Sequence, residues 1–73
     1  MSIAKNIEIS STSTVSFEDA VQKGIAKVSE SVKNVKGAWI KEQKVGIEAG
    51  KIVEYNVMMI ISFVVVDTQS VDQ

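Results

Sequence analysis

The segment from Val53 to Val66 most constrains how this chain can fold, because it is too apolar to belong to a small monomer. Its richness in β-branched residues, directly after a turn signal, predicts one long strand. Between Val57 and Val66 only Ser62 interrupts the apolar run, so both faces of the strand are expected to be covered. The chain offers one amphipathic helix, which can cover one face. We therefore expect the second face to meet another copy of the chain, a ligand, or both, in an obligate oligomer.

Composition limits the classes of function that the chain can have. It has 73 residues and contains neither cysteine nor histidine. A core of this size rarely supplies more than ~3–5 kcal/mol, which leaves burial between subunits as the route to a stable fold. Without a thiol nucleophile or a histidine base, an enzyme is the least expected class. The net charge of -1, the pI near 5.3 and the absence of arginine argue against a nucleic-acid partner.

The sequence indicates neither targeting nor membrane insertion. Its start lacks the basic stretch and the following apolar stretch of a signal peptide. The apolar run from Val57 to Val66 is too short for a spanning helix, which needs about 20 residues. We therefore expect a soluble, cytoplasmic protein without a membrane partner.

The first elements are predicted to be a strand and a polar connection. Residues 4–10 alternate, with Lys5, Ile7 and Ile9 on one side, which predicts a short strand with a mostly apolar inner face. Residues 11–14 are serine and threonine, and we expect them to form the connection to a helix.

A helix is predicted to begin at Phe17 and to end near residues 33–34. Ser16 is the expected N-cap, with the Asp19 carboxylate as its capping-box partner. Gly24 lies inside this helix, where glycine costs roughly 0.5–1 kcal/mol relative to alanine. A close approach of the helix to the sheet is the expected compensation. The apolar stripe at helical spacing comprises Phe17, Val21, Ile25, Val28 and Val32.

Two further strands are predicted to pair as a hairpin. Gly37 is expected to mark the bend into the second strand, and Ala49 and Gly50 form the hairpin loop. Counting back from this loop in steps of two gives one register for the whole hairpin. One face, the outer face, then contains the pairs Val45–Glu54, Gln43–Asn56, Lys41–Met58, Trp39–Ile60 and Gly37–Ser62. The opposite face is more apolar and is expected to carry the helix; it contains Ala38, Ile40, Val53, Tyr55, Val57, Met59, Ile61 and Phe63.

The sequence thus predicts an α+β fold in a single domain that covers residues 1–73. The element order is β-α-β-β, with a three-stranded antiparallel sheet wrapped around one helix. The core is expected over residues 4–66, and a polar tail follows at residues 67–73.

No catalytic constellation is present, so no residue is predicted to be catalytic. Glu42 and Glu54 lie on adjacent strands, but the predicted register puts them on opposite faces. The outer face instead groups Trp39 with Met58 and Ile60 in an apolar patch, flanked by Lys41, Gln43, Asn56 and Ser62. This patch has two interpretations: a subunit interface anchored by the tryptophan, or a flat platform for a planar ligand. The two are compatible, since a site can form where symmetric copies meet.

Several segments together resemble one protein family, the dodecins. They are Lys5–Ile9, Thr12-Ser13, Ser16–Ala20, Asn34-Val35 and the run from Gly50 through Phe63. The resemblance extends over residues 5–65 and implies a β-α-β-β subunit in a hollow dodecamer of cubic symmetry. It also implies flavin binding, with storage or buffering of a flavin such as FMN or riboflavin as the function, and no enzymatic activity.

The resemblance further implies which residues form the ligand site. Flavin-binding dodecins have a tryptophan just after the helix that stacks on the flavin ring, and a glutamine in the last strand that hydrogen-bonds the ring edge. These positions correspond here to Gly37 and Asn56. Trp39 lies two residues further along the same predicted face, where it is placed to stack from a shifted position. Lys44 corresponds to the basic residue near the flavin phosphate, although the predicted register puts it on the helix-side face.

The lack of a tryptophan at residue 37 makes the chain similar to a subgroup that includes calcium dodecin. This similarity implies an alternative function: a dodecameric structural assembly that binds calcium or other divalent cations without flavin. Calcium takes about six to eight oxygen ligands, and the acidic residues of one subunit are too dispersed to supply them. A site would need symmetry-related copies of residues such as Glu8, Glu42 or Glu54, among which the sequence does not choose.

Overall fold

The computed structural model describes residues 2–66. Its elements are β1 (Ser2–Ser13), α1 (Phe17–Ser29), β2 (Val35–Glu48) and β3 (Lys51–Val66). The three strands form one antiparallel sheet in the order β1-β3-β2, which places the most apolar strand in the centre. Within the described residues, the predicted β-α-β-β order is confirmed. The predicted polar tail at residues 67–73 lies outside them.

The core of the subunit is small and lies between the helix and the central strand. Its fully buried apolar residues are Ala20 on α1 and Val57, Met59 and Ile61 on β3. Partly buried residues from the helix and the other strands pack against them: Ile7, Ile9, Phe17, Val21, Ile25, Val28 and Val35. The helix therefore covers the face of β3 that the sequence predicted it to cover.

Gly24 lies where the helix comes closest to the sheet, and it is buried. A Cβ atom at this position would lie 3.2 Å from the Ser11 Cβ and 3.3 Å from the Ile9 Cδ1, and it would overlap the terminal methyl of Met59. The close approach expected from a glycine inside the helix is confirmed. The packing that it permits offsets the low helix propensity of glycine.

Replacing Gly24 with valine is expected to destabilise the fold by roughly 1–3 kcal/mol, because the new side chain overpacks against the buried Met59. Ala26→Val, at an exposed position of the same helix, is the matched control and should cost about 0.5 kcal/mol or less. Urea unfolding of both variants measures the difference. Equal stability of the two variants would contradict the close packing at Gly24.

Two serines fix the start of α1. The Ser16 hydroxyl accepts a hydrogen bond from the Asp19 backbone N–H at 2.9 Å, which confirms Ser16 as the N-cap. The capping box also predicted that the Asp19 carboxylate accepts a hydrogen bond from the Ser16 N–H. This prediction is wrong, because the carboxylate accepts from the Ser13 hydroxyl at 2.6 Å. The Ser16 N–H donates to Ser13 Oγ instead, at 3.4 Å. Ser13 also ends β1, so residues 11–13 belong to the strand and not to the predicted connection.

Asp19 makes the stability of this helix start dependent on pH. The Ser13 hydroxyl, and then the Lys23 ammonium 3.0 Å away, hold the pKa of the Asp19 carboxyl below its ordinary value of 3.8. A group with a lowered pKa stabilises the fold above its ordinary pKa, and this contribution is lost as the pH falls through the lowered pKa.

We therefore expect Asp19→Asn to lose less stability than the wild type when the pH falls from about 5 to about 2. Circular dichroism during acid titration measures the loss. Glu18→Gln, in the same helical turn, is the control and should keep the acid sensitivity of the wild type. The result against this account is an Asp19→Asn variant with an unchanged acid profile.

The helix ends earlier than predicted. Its last residue is Ser29, and the chain continues from there in a turn. The predicted helix end near residues 33–34 is therefore wrong. Asn34 has a φ of 63°, in the left-handed region that asparagine tolerates, and its carbonyl accepts from the Val64 N–H at 3.1 Å. Gly37 consequently lies within β2 and does not mark its start. With its 13 residues α1 is too short to cross a membrane, and residues 2–66 contain no other helix that could.

Two bulges shift the register of the hairpin in its middle. Near the loop the predicted pairing holds, and at the far end Trp39 pairs with Ile60 as predicted. Between these ends the register is shifted, because Val53 of β3 and Lys41 of β2 each lack a partner on the other strand. A shift of one residue moves each side chain to the opposite sheet face. The predicted pairs Val45–Glu54, Gln43–Asn56 and Lys41–Met58 are therefore wrong.

The shifted segment changes which side chains share a face. Its observed pairs are Val45–Tyr55, Lys44–Asn56, Gln43–Val57 and Glu42–Met58. Gln43 therefore faces the helix side, whereas Glu42 and Lys44 lie on the outer face. Two predictions are thus wrong: Lys44 on the helix-side face, and Glu42 on the face opposite Glu54. A count in steps of two assumes an unbroken ladder, and a bulge inserts an unpaired residue into it.

The subunit is elongated and leaves β2 largely uncovered. Its Cα atoms extend over 61 × 19 × 13 Å with a radius of gyration of 15.9 Å, against about 11 Å for a compact domain of this length. Trp39, Ile40 and Ile47 of β2 are 52%, 40% and 62% exposed. Apolar surface of this kind on an edge strand agrees with the expected association with other copies.

Candidate functional site

The outer face of the sheet, opposite the helix, brings together the side chains singled out from the sequence. Along β3 it presents alternate residues from Glu54 to Ser62. The pairing of β3 with its two neighbours defines the rows Thr12–Asn56–Lys44, Ser10–Met58–Glu42, Glu8–Ile60–Trp39 and Asn6–Ser62–Gly37. The residues expected to form the ligand site, Gly37, Trp39, Lys44 and Asn56, therefore share one face.

Asn56 is half-buried, and both ends of its amide are engaged. Thr12 Oγ1 donates a hydrogen bond to Asn56 Oδ1 at 2.6 Å, and Asn56 Nδ2 donates to Glu54 Oε2 at 3.3 Å. A carboxamide has two N–H donors and two acceptor lone pairs. Beyond these two bonds, one donor and one lone pair remain for a ligand, so Asn56 has the chemistry to bind the edge of a polar ring.

A cleft of about 250 Å³ opens beside Asn56. Its lining is mixed, with hydroxyl, amide, charged and apolar groups: Ser10, Ser11, Thr12, Glu42, Lys44, Asn56, Val57 and Met58. Lys44 belongs to this lining because the shifted register places it directly opposite Asn56. Sites for small molecules usually measure ~300–1,000 Å³, so one subunit encloses only part of a flavin-sized ligand.

Three cleft residues, Ser10, Ser11 and Thr12, were not selected from the sequence. They were assigned to the end of a short strand and to a connection, whereas β1 continues through them. The signal that could have identified Ser10 and Thr12 is the polar alternation on one side of β1, which runs without a break from Asn6 to Thr12; Ser11 lies on the other side and has no such signal.

Trp39 forms an apolar surface on the same face as the cleft. It pairs with Ile60, and Met58 is the next outer-face residue of β3, so the grouping of these three residues on one face is confirmed. The Lys41 ammonium reaches over the central strand to the Glu8 carboxylate at 3.3 Å. A half-exposed tryptophan with two apolar neighbours suits either a subunit contact or a planar ring.

Gly37 presents no aromatic surface to a ligand. Its backbone has room for a side chain, because an added Cβ would meet only the Ser62 hydroxyl oxygen at an ordinary 3.7 Å. Ser62 Oγ donates a hydrogen bond to the Gly37 carbonyl at 3.3 Å. The residues thus fit a flavin in hydrogen bonding and charge, while any stacking on a side chain of this face has to come from Trp39.

The acidic residues of the outer face are dispersed. Glu8, Glu42 and Glu54 share this face, but Glu8 is paired with Lys41, and Glu54 accepts from Asn56. In the part of the chain that the structure describes, no three acidic side chains form a group that could hold a metal ion. A calcium site built on these glutamates would have to combine several copies of the chain.

Comparison with protein families agrees with this architecture. The chain matches the dodecin family over residues 3–66. Because the match covers most of the chain, this protein belongs to the dodecin family, and the resemblance seen in the sequence is confirmed. A comparison with curated proteins gives no significant match.

Solved structures of dodecins share the fold. A variant of Thermus thermophilus dodecin is 22% identical with a TM-score of 0.86, over 92% of this chain and 98% of its own. Dodecin from Streptomyces coelicolor is 17% identical with a TM-score of 0.85, over 90% and 94%. Identities this low show the fold alone. The calcium dodecin of Mycobacterium tuberculosis, described as a calcium-chelating immunodominant antigen with a novel calcium-binding site, is 31% identical with a TM-score of 0.74, over 84% and 87%.

Proposed function

We propose that this dodecin binds and stores a small planar ligand of the flavin type, as a homododecamer and without catalysing a reaction. Membership of the family supports the assembly, as do the elongated subunit and the exposed apolar residues of β2. A composition without cysteine or histidine supports a binding role, because the common nucleophile and the common general base are both lacking.

The observation that carries this proposal is the pairing of Lys44 with Asn56 inside one open cleft. The amide of Asn56 can hydrogen-bond the polar edge of a ring, and the ammonium of Lys44 can pair with an anionic substituent. Met58 adds an apolar wall beside them. A flavin nucleotide offers the matching groups: an apolar ring system, a polar ring edge and a phosphate.

The cleft of one subunit is incomplete, which links ligand binding to assembly. Asn56 and Ile60, the partner of Trp39, are four residue steps apart on β3, which corresponds to about 13 Å along the strand. A ring whose edge is held by Asn56 can therefore contact Trp39 of the same subunit only when the long axis of the ring runs along the strand. In the proposed dodecamer a neighbouring copy supplies the remaining wall of the site.

Titration with riboflavin, FMN and lumichrome, followed by flavin fluorescence, tests the proposal most directly. We expect saturable quenching by the assembled protein. Asn56→Leu keeps a side chain of similar size without its hydrogen-bonding groups, so it is the matched variant and should bind more weakly. No quenching by the wild type up to high micromolar concentrations would remove the flavin proposal.

Lys44→Ala is expected to weaken FMN binding by about tenfold and to leave riboflavin binding within about twofold, because only FMN carries a phosphate for the ammonium. Isothermal titration calorimetry with both ligands measures the two affinities. Lys51→Ala, at an exposed lysine in the first position of β3, is the control and should leave both affinities unchanged. An equal loss for the two ligands would contradict the role of Lys44.

One specific observation favours a second function. The calcium dodecin of Mycobacterium tuberculosis is 31% identical to this chain, and Glu8, Glu42 and Glu54 share one face here. The alternative proposal is therefore a dodecameric structural assembly that binds calcium on carboxylates from several copies. Calcium bound only to the native assembly would raise its melting temperature by mass action. An unchanged melting curve in millimolar calcium and in excess chelator would contradict it.

A further inference from the structure

We infer that Glu54 is a positioning residue that fixes the orientation of the Asn56 amide, and with it the order in which the cleft presents an N–H donor and a carbonyl acceptor to a ligand. The inference rests on the proposed function, since it concerns the same cleft. It adds a residue that does not line the cleft.

The orientation follows from the two hydrogen bonds that the Asn56 amide makes. Glu54 is a carboxylate and can only accept, so the Asn56 atom that faces it has to be the Nδ2 nitrogen, at 3.3 Å. The carbonyl Oδ1 is then on the other side, where it accepts from the Thr12 hydroxyl at 2.6 Å. A rotation of the amide by 180° would bring the carbonyl oxygen against the carboxylate, and two acceptors repel each other.

Gly46 provides the space in which Glu54 lies. The bulge at Val53 brings Glu54 opposite Gly46 on β2. A Cβ atom at residue 46 would lie 2.7 Å from Glu54 Cγ and 3.1 Å from the same Oε2 that accepts from Asn56. Such a Cβ would displace the Glu54 side chain. Gly46, Glu54 and Asn56 therefore act in sequence: a glycine makes room for a carboxylate, and the carboxylate orients an amide.

The fixed amide offers its remaining N–H and lone pair in one defined order. Its complement is a ring edge with an acceptor and a donor next to each other, as in a cyclic imide or lactam. Riboflavin has such an edge, whereas 3-methylriboflavin keeps the same ring system and lacks the imide N–H. The two ligands therefore separate edge recognition from general affinity for the ring.

The test compares riboflavin with 3-methylriboflavin on the assembled protein. In Glu54→Gln the new amide can face Asn56 through either its oxygen or its nitrogen, so the orientation of Asn56 is no longer fixed. We expect riboflavin binding to weaken by about fivefold, while 3-methylriboflavin binding stays within about twofold. Gly46→Ala should give the same pattern by displacing Glu54. Glu48→Gln, at an exposed carboxylate of the same hairpin, is the control and should change neither affinity.

The possible outcomes separate this inference from the proposed function. If the wild type binds riboflavin and both ligands weaken equally in Glu54→Gln, then Glu54 has a general structural role and the positioning inference is overturned. Unchanged affinities in both variants overturn it as well. If the wild type binds neither flavin, the proposed function fails and the inference fails with it.

Discussion

Trp39→Ala is expected to shift the native particle toward smaller species, with a loss of about 3–5 kcal/mol for each tryptophan that assembly buries. Within one subunit Trp39 is 52% exposed, on the face that also presents Met58 and Ile60. We expect the assembled particle to cover the rest of this side chain, because tryptophan residues commonly anchor protein interfaces. Sedimentation velocity at micromolar concentration measures the shift.

Lys27→Ala is the control for this experiment, because the Lys27 side chain is 82% exposed on the helix. It should leave the particle intact. Fluorescence gives an independent measurement, since Trp39 is the one tryptophan of the chain. A red-shifted, readily quenched emission from the intact oligomer would show that Trp39 faces solvent, and it would contradict the proposed contact.

Ile61→Ala is expected to cost about 2–5 kcal/mol of folding stability, because it leaves a cavity in the centre of the core. Ile61 is 0% exposed and packs in the same cluster as Met59 and Ala20. A cluster this small has few other contacts that could compensate. Urea unfolding followed by circular dichroism measures the cost.

Ile52→Ala removes the same atoms from the same strand at a position that is 53% exposed, so it is the matched control. It should cost at most about 1 kcal/mol unless assembly buries it. A loss of less than about 1 kcal/mol for Ile61→Ala would contradict the assignment of the core to the helix-side face of β3.

Patterns that depend on local chemistry predicted most of the fold. The doubly apolar β3 was expected to need cover on both faces; the helix covers one of them, and cover of the other by a further copy stays a prediction. The cap at Ser16 and the close approach at Gly24 also follow from local rules, and both are confirmed. The helix end was harder to predict, because Val32 continues the apolar spacing beyond Ser29, where the helix ends.

The candidate site could be predicted only in part. Asn56 and Trp39 were placed on the outer face correctly, since strand alternation and the far end of the hairpin register both hold. Lys44 and Glu42 were placed on the wrong sides because no sequence signal marks the two bulges. The role of Glu54 depends on the shifted pairing with Gly46, so it could be recognised only from the three-dimensional arrangement.

The central claim is that this chain acts as a closed dodecamer with ligand sites completed between subunits. Light scattering coupled to size-exclusion chromatography tests it most directly. We predict a single species of about 95 kDa, twelve times the 7.9 kDa of one chain, that persists on dilution to micromolar concentration. A stable, folded species near 7.9 kDa at the same concentration would contradict the claim.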